Sequence, residues 1–529
     1  MIEDKIAKLI DNTILKIYKI DFNSKVQTSS IEGVDFQCND AFILAKNLHL
    51  SPLTIAQSLC QELNLSNNFS LVEVKNGFIN FVLSDNFIYD EIESIYKSEK
   101  LGVNEPKNKE LYFLDYGGPN IAKPLHVGHL RSPIIGESVK RIINYAGHNT
   151  LSDVHYGDYG LQLGEVIYGL KERNINLNEI TLSLLNEIYP EINARIKVDE
   201  NLAKTCAEIT KQLQEGNSEY LQYFKVIREI SSKDIKRIYD YLDVKFDFYK
   251  GESEAYNYIS ELTSLLNSKN LLQESNGAKV IDISRQGDKK ELPPLIYQKS
   301  NGAYLYGTTD MATVLQRVKN YNPDHILYFA DIRQDLHYTQ FFRAVENADI
   351  ISSKNLEFHG FGTVNGLDGK PYKTREGKSP SLDSLFNDVK TMLQKNKTMD
   401  LEKESDLDKI VNSVIKFADL QNNYEKDYIF DLEKFSKLDG KTGPYILYSY
   451  CRLNKVYNKY INTISLKLNK VNKNNIEREI KIKILNFASI FNRAFIERKP
   501  SLIAEYLFDF STKLNLFYET NRFSDDDNK

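Results

Sequence analysis

His126 and His129 are three positions apart, with Val127 and Gly128 between them, at the end of a run broken by Gly117, Gly118, Pro119 and Pro124. Two imidazoles one turn apart can donate hydrogen bonds to the same anion. A Gly/Pro loop that opens a helix adds free backbone N–H groups and the positive end of the helix dipole. These residue types at this spacing suit the phosphates of a nucleotide.

The elements that must position them can be read around the pair. Leu111–Tyr116 is apolar and aromatic and reads as a short buried strand. From Pro133 the apolar residues Ile134, Ile135, Val139, Ile142 and Ile143 fall on one helical face, and Gly147 stands where a left-handed residue can stop that helix. Asn149 begins a second strand that runs into the Gly-rich string His155-Tyr-Gly157-Asp158-Tyr-Gly160. Residues 165 to about 275 are charged and periodic, as an all-helical insertion would be. Ala303–Thr309 is read as a strand feeding a helix from Met311 to Val318, with Asp310 at its start; His325–Ala330 and Leu356–Val364 are further strands. Strands alternating with helices place this part in the α/β class.

A chain of 529 residues is too long for one core, so three or four domains are expected. Residues 1–100 read as a small α+β domain: a helix over Ile2–Ile20, another from Asp35, and a third opened by Ser51-Pro52. Two strands in this domain meet at Asn76-Gly77, a hairpin signal. Residues from about 391 to 529 read as helical throughout. Between Cys451 and Pro500 twelve Lys and Arg face three Glu, and Tyr448, Tyr457 and Tyr460 interleave with them, a pattern for phosphates and unpaired bases. The net charge of −5 excludes a chain coated in positive charge but not such a local patch. Cys38, Cys60, Cys206 and Cys451 form no C-x-x-C, which points to idle thiols in a reducing cytoplasm, with no disulfide framework and no structural metal. No signal peptide or membrane span is expected.

His126-Val-Gly-His129 resembles the "HIGH" tetrapeptide of class I aminoacyl-tRNA synthetases. The longer string Pro119-Asn120-Ile-Ala-Lys123-Pro124 before it and Leu130-Arg131-Ser132 after it resembles the arginyl-tRNA synthetases. The resemblance implies a Rossmann-type nucleotide-binding catalytic domain over 101–390, an N-terminal tRNA-binding domain over 1–100, and a C-terminal all-α anticodon-binding bundle over 391–529. That bundle would be short, since the family runs on beyond Phe517-Tyr518. The implied activity is ligation of arginine to tRNA(Arg) by way of arginyl-adenylate, with ATP and its Mg²⁺ as substrate and activation that waits for tRNA. A cytoplasmic monomer is implied.

By the same resemblance His126, His129 and Lys123 would be catalytic, Lys123 supplying charge because no K-M-S-K-S string is present. Gly128, His337 and the loop residues Lys373 and Lys378 would join the two histidines on ATP, in a loop that also carries Lys370 and Arg375. Asp115, Asn120, His155, Tyr306, Asp310 and Gln334 would hold arginine. Physical chemistry supports acids there, because a planar guanidinium with five donors wants a carboxylate in fork geometry. Asp115 stands where many members carry Glu, one methylene longer. Gln334 and His337 belong to a string that resembles the family's R-Q-x-L-H-x-x-Q element. Asn76, Phe78 and Asn80 would meet the tRNA from the N-terminal domain, and Tyr448, Arg452 and Lys455 from the bundle. Two alternatives stay open at this point: another class I ligase, with cysteine disfavoured for want of zinc ligands, and an inactive tRNA-binding relative.

Overall fold

The computed structural model describes residues 1–372, 380–395, 404–461, 470, 472 and 474–521, so the expectations for Lys373, Arg375 and Lys378 lie outside the described residues. The chain opens with α1 (Ile2–Tyr18), where Ile2, Ile6, Ile10 and Ile14 recur every fourth position and bury one face. Next come β1 (Val26–Thr28), β2 (Phe36–Cys38), α2 (Asp40–Leu48), α3 (Pro52–Leu63), β3 (Phe69–Lys75), β4 (Phe78–Leu83) and α4 (Asp85–Tyr96). The strands form an antiparallel sheet in the order β1-β2-β4-β3. The helix expected from Asp35 starts instead at Asp40. Phe36 and Cys38 point inward as alternate residues and pair with β4, so extended backbone wins there. Ser51 caps α3 by accepting the Thr54 N–H, with Pro52 in the first turn. Asn76 and Gly77 both take positive φ, 52° and 84°, and turn β3 into β4 with Lys75 opposite Phe78.

The first strand–helix–strand unit is β5 (Leu111–Tyr116), α5 (Arg131–Tyr145) and β6 (Asn149–Asp153). All five apolar positions read on α5 are buried. The insertion is α6 (Leu161–Glu172), α7 (Leu182–Arg195), α8 (Glu200–Gln214), α9 (Ser218–Tyr241), α10 (Glu252–Ala255) and α11 (Ile259–Ser268), followed by an antiparallel sheet of β7 (Leu272–Ser275), β8 (Ala278–Ile281) and β9 (Leu295–Gln298). Then come α12 (Tyr306–Tyr321), β10 (His325–Asp331), α13 (Asp335–Asn347) and β11 (Leu356–Phe361). The central sheet is parallel, in the order β11-β10-β5-β6, the doubly wound pattern of an α/β nucleotide-binding domain.

The strand expected over Ala303–Thr309 is absent: Tyr306 is the first residue of α12. Thr308 and Thr309 instead lock the helix start. The Thr308 hydroxyl donates to the Tyr297 carbonyl and the Thr309 hydroxyl to that of Tyr306. After the sheet come β12 (Val364–Asn365), α14 (Leu382–Lys395), α15 (Glu404–Leu420), β13 (Tyr428–Ile429), α16 (Leu432–Phe435), α17 (Gly443–Tyr460), α18 (Asn475–Glu497) and α19 (Pro500–Thr520), with β12 and β13 paired.

The chain divides into two compact units, Met1–Pro106 with Tyr445–Lys529 and Lys107–Pro444. In the first unit α18 completes the N-terminal core: Leu485 and Ile482 pack into it, and Arg478 donates to both Asp35 oxygens at 2.9 and 2.6 Å. In the second, Arg131 follows the histidine pair and is 1% exposed. Its Nε donates to Asp419 of α15 at 3.1 Å, and its Nη1 to the carbonyls of Gly362 and Lys426 at 2.7 and 3.0 Å. One guanidinium thus ties the start of α5 to α15 and to the chain leaving β11. Arg131→Met should lower the unfolding free energy by about 3–5 kcal/mol, because the Asp419 carboxylate stays buried and unpaired. Arg131→Met with Asp419→Leu should recover most of that loss. Urea unfolding midpoints of the two variants check this, and equal losses would contradict it.

Candidate active site

The histidine pair lies in a single 3₁₀ turn, Val127–His129, between β5 and α5. The Gly128 N–H donates to His126 Nδ1 at 3.0 Å and the His126 N–H donates to His129 Nδ1 at 3.1 Å. Accepting at Nδ1 puts the proton of each neutral ring on Nε2, facing away from its own turn. The rings lie 3.9 Å apart. Burial, then the charges of His126 and Lys123, push His129 down to about 3; burial and Lys123 lower His126 as well. Both rings are therefore neutral donors at pH 7. The Gly128 N–H is spent on His126 and is not free for a phosphate.

Lys123 sits on a loop that β6 and the insertion hold in place. The Ile121 N–H donates to the Gly157 carbonyl at 3.2 Å and the Ala122 N–H to Ser231 Oγ of α9 at 3.0 Å. Asn120 Oδ1 lies 2.0 Å from where a Gly157 Cβ would be, so only glycine leaves room for it. The Lys123 ammonium lies over the Tyr189 ring of α7, 4.3 Å from its centre.

The acidic side differs from expectation at its first residue. Asp115 is already paired: Arg317 of α12 donates to it at 2.5 Å and lies 3.4 Å from Asp153. The chain's own guanidinium thus fills the fork expected to be open to substrate. Asp310, two turns earlier on α12, binds His337 Nε2 at 2.6 Å, and the His337 ring packs on Phe341 at 5.4 Å. Burial works against a charged His337, but Asp310 outweighs it and raises its pKa. His337 therefore lies beside Asp310. Tyr306, one turn before Asp310, is 59% exposed, and Gln334 is exposed at the start of α13.

His155 takes a positive φ of 44°; both its ring nitrogens are buried and neither is hydrogen-bonded, and Nδ1 lies 3.6 Å from Asp153. Burial opposes its charge, yet Asp153 and Asp115 prevail and hold it up at about 9. Asp158 is closed off: it accepts from Ser253 N–H and Oγ at 2.9 and 2.8 Å and pairs with Arg228 at 3.2 Å. Glu252, at the start of α10, is a site residue that no spacing marked. Burial raises it to about 8, with His155 pulling it down and Asp310 and Asp158 pushing it up. An acid held partly protonated beside Asp310 is a place for a cation. The two sides adjoin: Tyr189, which carries Lys123, also acts with Glu252 and Asp310 on the Tyr306 hydroxyl.

In the other unit Asn76 is exposed at the hairpin tip, and Phe78 packs 5.2 Å from Phe42, itself 39% exposed. Asn80 is 0% exposed, accepting from Gln37 at 2.8 Å and donating to Glu73 at 3.2 Å. It supports the sheet, and its side chain offers no surface to tRNA. Arg452 lies between the rings of Tyr448 and Tyr518, at 4.5 and 4.6 Å, and Lys455 is exposed one turn on. Among the described residues no three His, Cys, Asp or Glu side chains gather as a metal site, and no helix is long and apolar enough to cross a membrane.

Three family models match the chain: the class I (R) tRNA synthetase catalytic domain over residues 91–432, the arginyl-tRNA synthetase N-terminal domain over 2–83, and the DALR anticodon-binding domain over 446–529. The arginine–tRNA ligase of Francisella tularensis subsp. holarctica is 37% identical over 541 residues, covering 98% of this chain and 92% of its own. That of Alkaliphilus oremlandii is 36% identical over 510 residues, covering 92% and 87%. The crystal structure of arginyl-tRNA synthetase from Plasmodium falciparum superposes with a TM-score of 0.82 at 27% identity, over 100% of this chain and 94% of that one. With the parallel sheet and the paired rings, these likenesses show that the chain belongs to the arginyl-tRNA synthetase family.

Proposed function

We propose that this arginine–tRNA ligase reads the substrate guanidinium with Asp310 and Glu252 and meets the ATP phosphates with His126, His129 and Lys123. What supports this is that Glu252 and Asp310 act on the Tyr306 hydroxyl together with Tyr189, whose ring carries the Lys123 ammonium. An arginine carboxylate oxygen attacks the α-phosphorus; the new P–O bond forms as the bond to pyrophosphate breaks. The 3′-terminal ribose hydroxyl of tRNA then attacks the activated carbonyl, and AMP leaves. Neither step needs a covalent enzyme intermediate, so the protein contributes positioning and charge neutralisation. The histidine Nε2–H groups donate to phosphate oxygens, while Lys123 and the Mg²⁺ that travels with ATP supply the positive charge. Asn120 orients the amino acid's backbone groups, and Gln334 closes the pocket beside Asp310. The exposed Phe42, the half-buried Phe78 against it, and Tyr448 with Arg452 and Lys455 offer stacking faces and charge to tRNA.

Charging of tRNA with labelled arginine, with lysine as control, tests the reading. Asp310→Asn and Glu252→Gln should each raise the arginine KM by about ten- to hundredfold, the cost of one charge-assisted hydrogen bond. An unchanged arginine KM in Asp310→Asn rejects the assignment. His129→Ala should slow adenylate formation by about a hundredfold with tRNA present.

Binding should also release protons. Glu252 titrates near 8 in the free site, so arginine should drive it to the carboxylate at pH 7. Calorimetry in buffers of different ionisation enthalpy should show this release, and Glu252→Gln should abolish it.

The two buried histidines should titrate in opposite directions. An unfolded imidazole takes its proton below pH of about 6.5, while folded His129 refuses it down to about 3. Its contribution to stability is whole above that range and shrinks as the pH falls through it. Folded His155 keeps its proton up to about 9, so its contribution is whole below pH of about 6.5 and is lost as the pH rises through 9. Histidine Cε1 shifts followed by NMR check both, and a His129 midpoint above 6 would contradict the neutral-donor role.

A further inference from the structure

We infer that Tyr189, on helix α7 of the insertion, is a positioning residue that aims the Lys123 ammonium at the phosphates; the inference rests on the reading of Lys123 given above. The backbone at Lys123 is fixed by Ala122, at φ 61° with its N–H on Ser231, and by Ile121 on Gly157. The side chain beyond it is a flexible four-carbon stem ending in a point charge, and a point charge neutralises a transition state only if it is held in place. Among the described residues no carboxylate lies within ion-pair distance of Lys123. The acid that acts on it, Glu165 of α6, is nearly buried and is engaged by Asn193 of α7 at 3.1 Å. What holds the ammonium is the face of Tyr189, 4.3 Å from ring centre to Nζ.

A cation–π contact suits this task. It fixes direction while leaving the ammonium's three N–H donors unspent for phosphate oxygens, whereas an ion pair would neutralise the charge the reaction uses. The contact also gives the insertion a part in the chemistry. The parallel sheet and its loops present Lys123, but the surface that steadies it comes from a helix more than sixty residues further along the chain. Tyr189 faces the arginine side too, through Tyr306, so the test must separate the two directions.

The test is a double-mutant cycle on the full-length enzyme with tRNA present, reading pyrophosphate release in a single turnover together with the arginine KM. Tyr189→Leu should slow pyrophosphate release about five- to thirtyfold, the range of a partly desolvated cation–π contact, while the arginine KM stays within about twofold. Tyr189→Phe keeps the ring face and should restore most of the rate. In a Lys123→Met background Tyr189→Leu should cost nothing more. An equal loss in that background, a loss confined to the arginine KM, or full activity in Tyr189→Leu overturns the inference. If Lys123→Met is slow and Tyr189→Leu is not, only this inference falls. If Lys123→Met is itself unimpaired, the phosphate role of Lys123 falls and takes the inference with it. Thermal melts and arginine binding by calorimetry show whether each variant is folded.

Discussion

A guanidinium belonging to the chain fixes one helix of the catalytic domain against its parallel sheet. Arg317 is buried between Asp115 at the end of β5 and Asp153 at the end of β6, with its plane over Phe113 at 4.5 Å. Removing such a charge from water is expensive, and only near-ideal partners offset the cost. Two carboxylates and an aromatic face do so here, and they fix α12 against the carboxyl ends of two strands. Asp310 lies seven residues before Arg317, two turns along the same helix face. The position of the substrate-side acid therefore follows from the internal ion pair. The acids divide accordingly: Asp115 and Asp153 are occupied by Arg317, and Asp310 is engaged by His337.

The phosphate side divides its work differently. His126 and His129 are held neutral by burial and by Lys123, and backbone N–H groups hold their Nδ1 atoms. A neutral ring is a directional donor that brings no countercharge. Its Nε2–H need not be stripped of a proton or of a tightly bound anion before substrate arrives. Charge has to come from elsewhere, and Lys123 is the described cation beside the rings. A pair of imidazolium ions in the same place would repel one another at 3.9 Å and would bind phosphate tightly in the ground state as well as in the transition state, which adds affinity without rate.

Local signals in the sequence carried the parts of the fold that local physics decides. Apolar residues at helical spacing marked α5, Ser51-Pro52 marked the start of α3, and Asn76-Gly77 marked a turn that needs two positive φ values. Gly117, Gly118, Pro119 and Pro124 marked the loop that carries the histidine pair. Long-range partners carried no such signal. Asp115 was legible as an acid at a strand end, but its partner Arg317 lies 202 positions away and looks like any arginine on a helix. Glu252 follows a glycine at the start of a four-residue helix, too short for periodicity, and its burial comes from groups elsewhere in the chain. Asn80 read as a polar residue free to meet a partner because an alternating strand does not reveal that Gln37 and Glu73 already satisfy it. Ala303–Thr309 read as strand, but the hydroxyl bonds of Thr308 and Thr309, one of them to a carbonyl eleven residues away, hold a helix start there.

The basic run in the C-terminal helices shows the same limit and has a consequence for nucleic acid. Arg478 is spent on Asp35, and Lys481, nearly buried, pairs with Glu477 at 2.7 Å. Arg478 joins α18 to the N-terminal sheet, and Lys481 is paired within its own helix. The electrostatic pull of the patch therefore rests on fewer charges than its composition suggests, and contact must draw more on shape and stacking. Arg452 fits that requirement. Held between Tyr448 and Tyr518, it presents a planar cation whose orientation is set before any base arrives, so little side-chain entropy is lost on contact. The hairpin with Phe78 and the helix with Arg452 belong to one compact unit, built around a core that α18 completes. A tRNA that meets both surfaces meets a single body, and the Asp35–Arg478 pair that helps to hold that body together thereby bears on how far apart two regions of the RNA can be read.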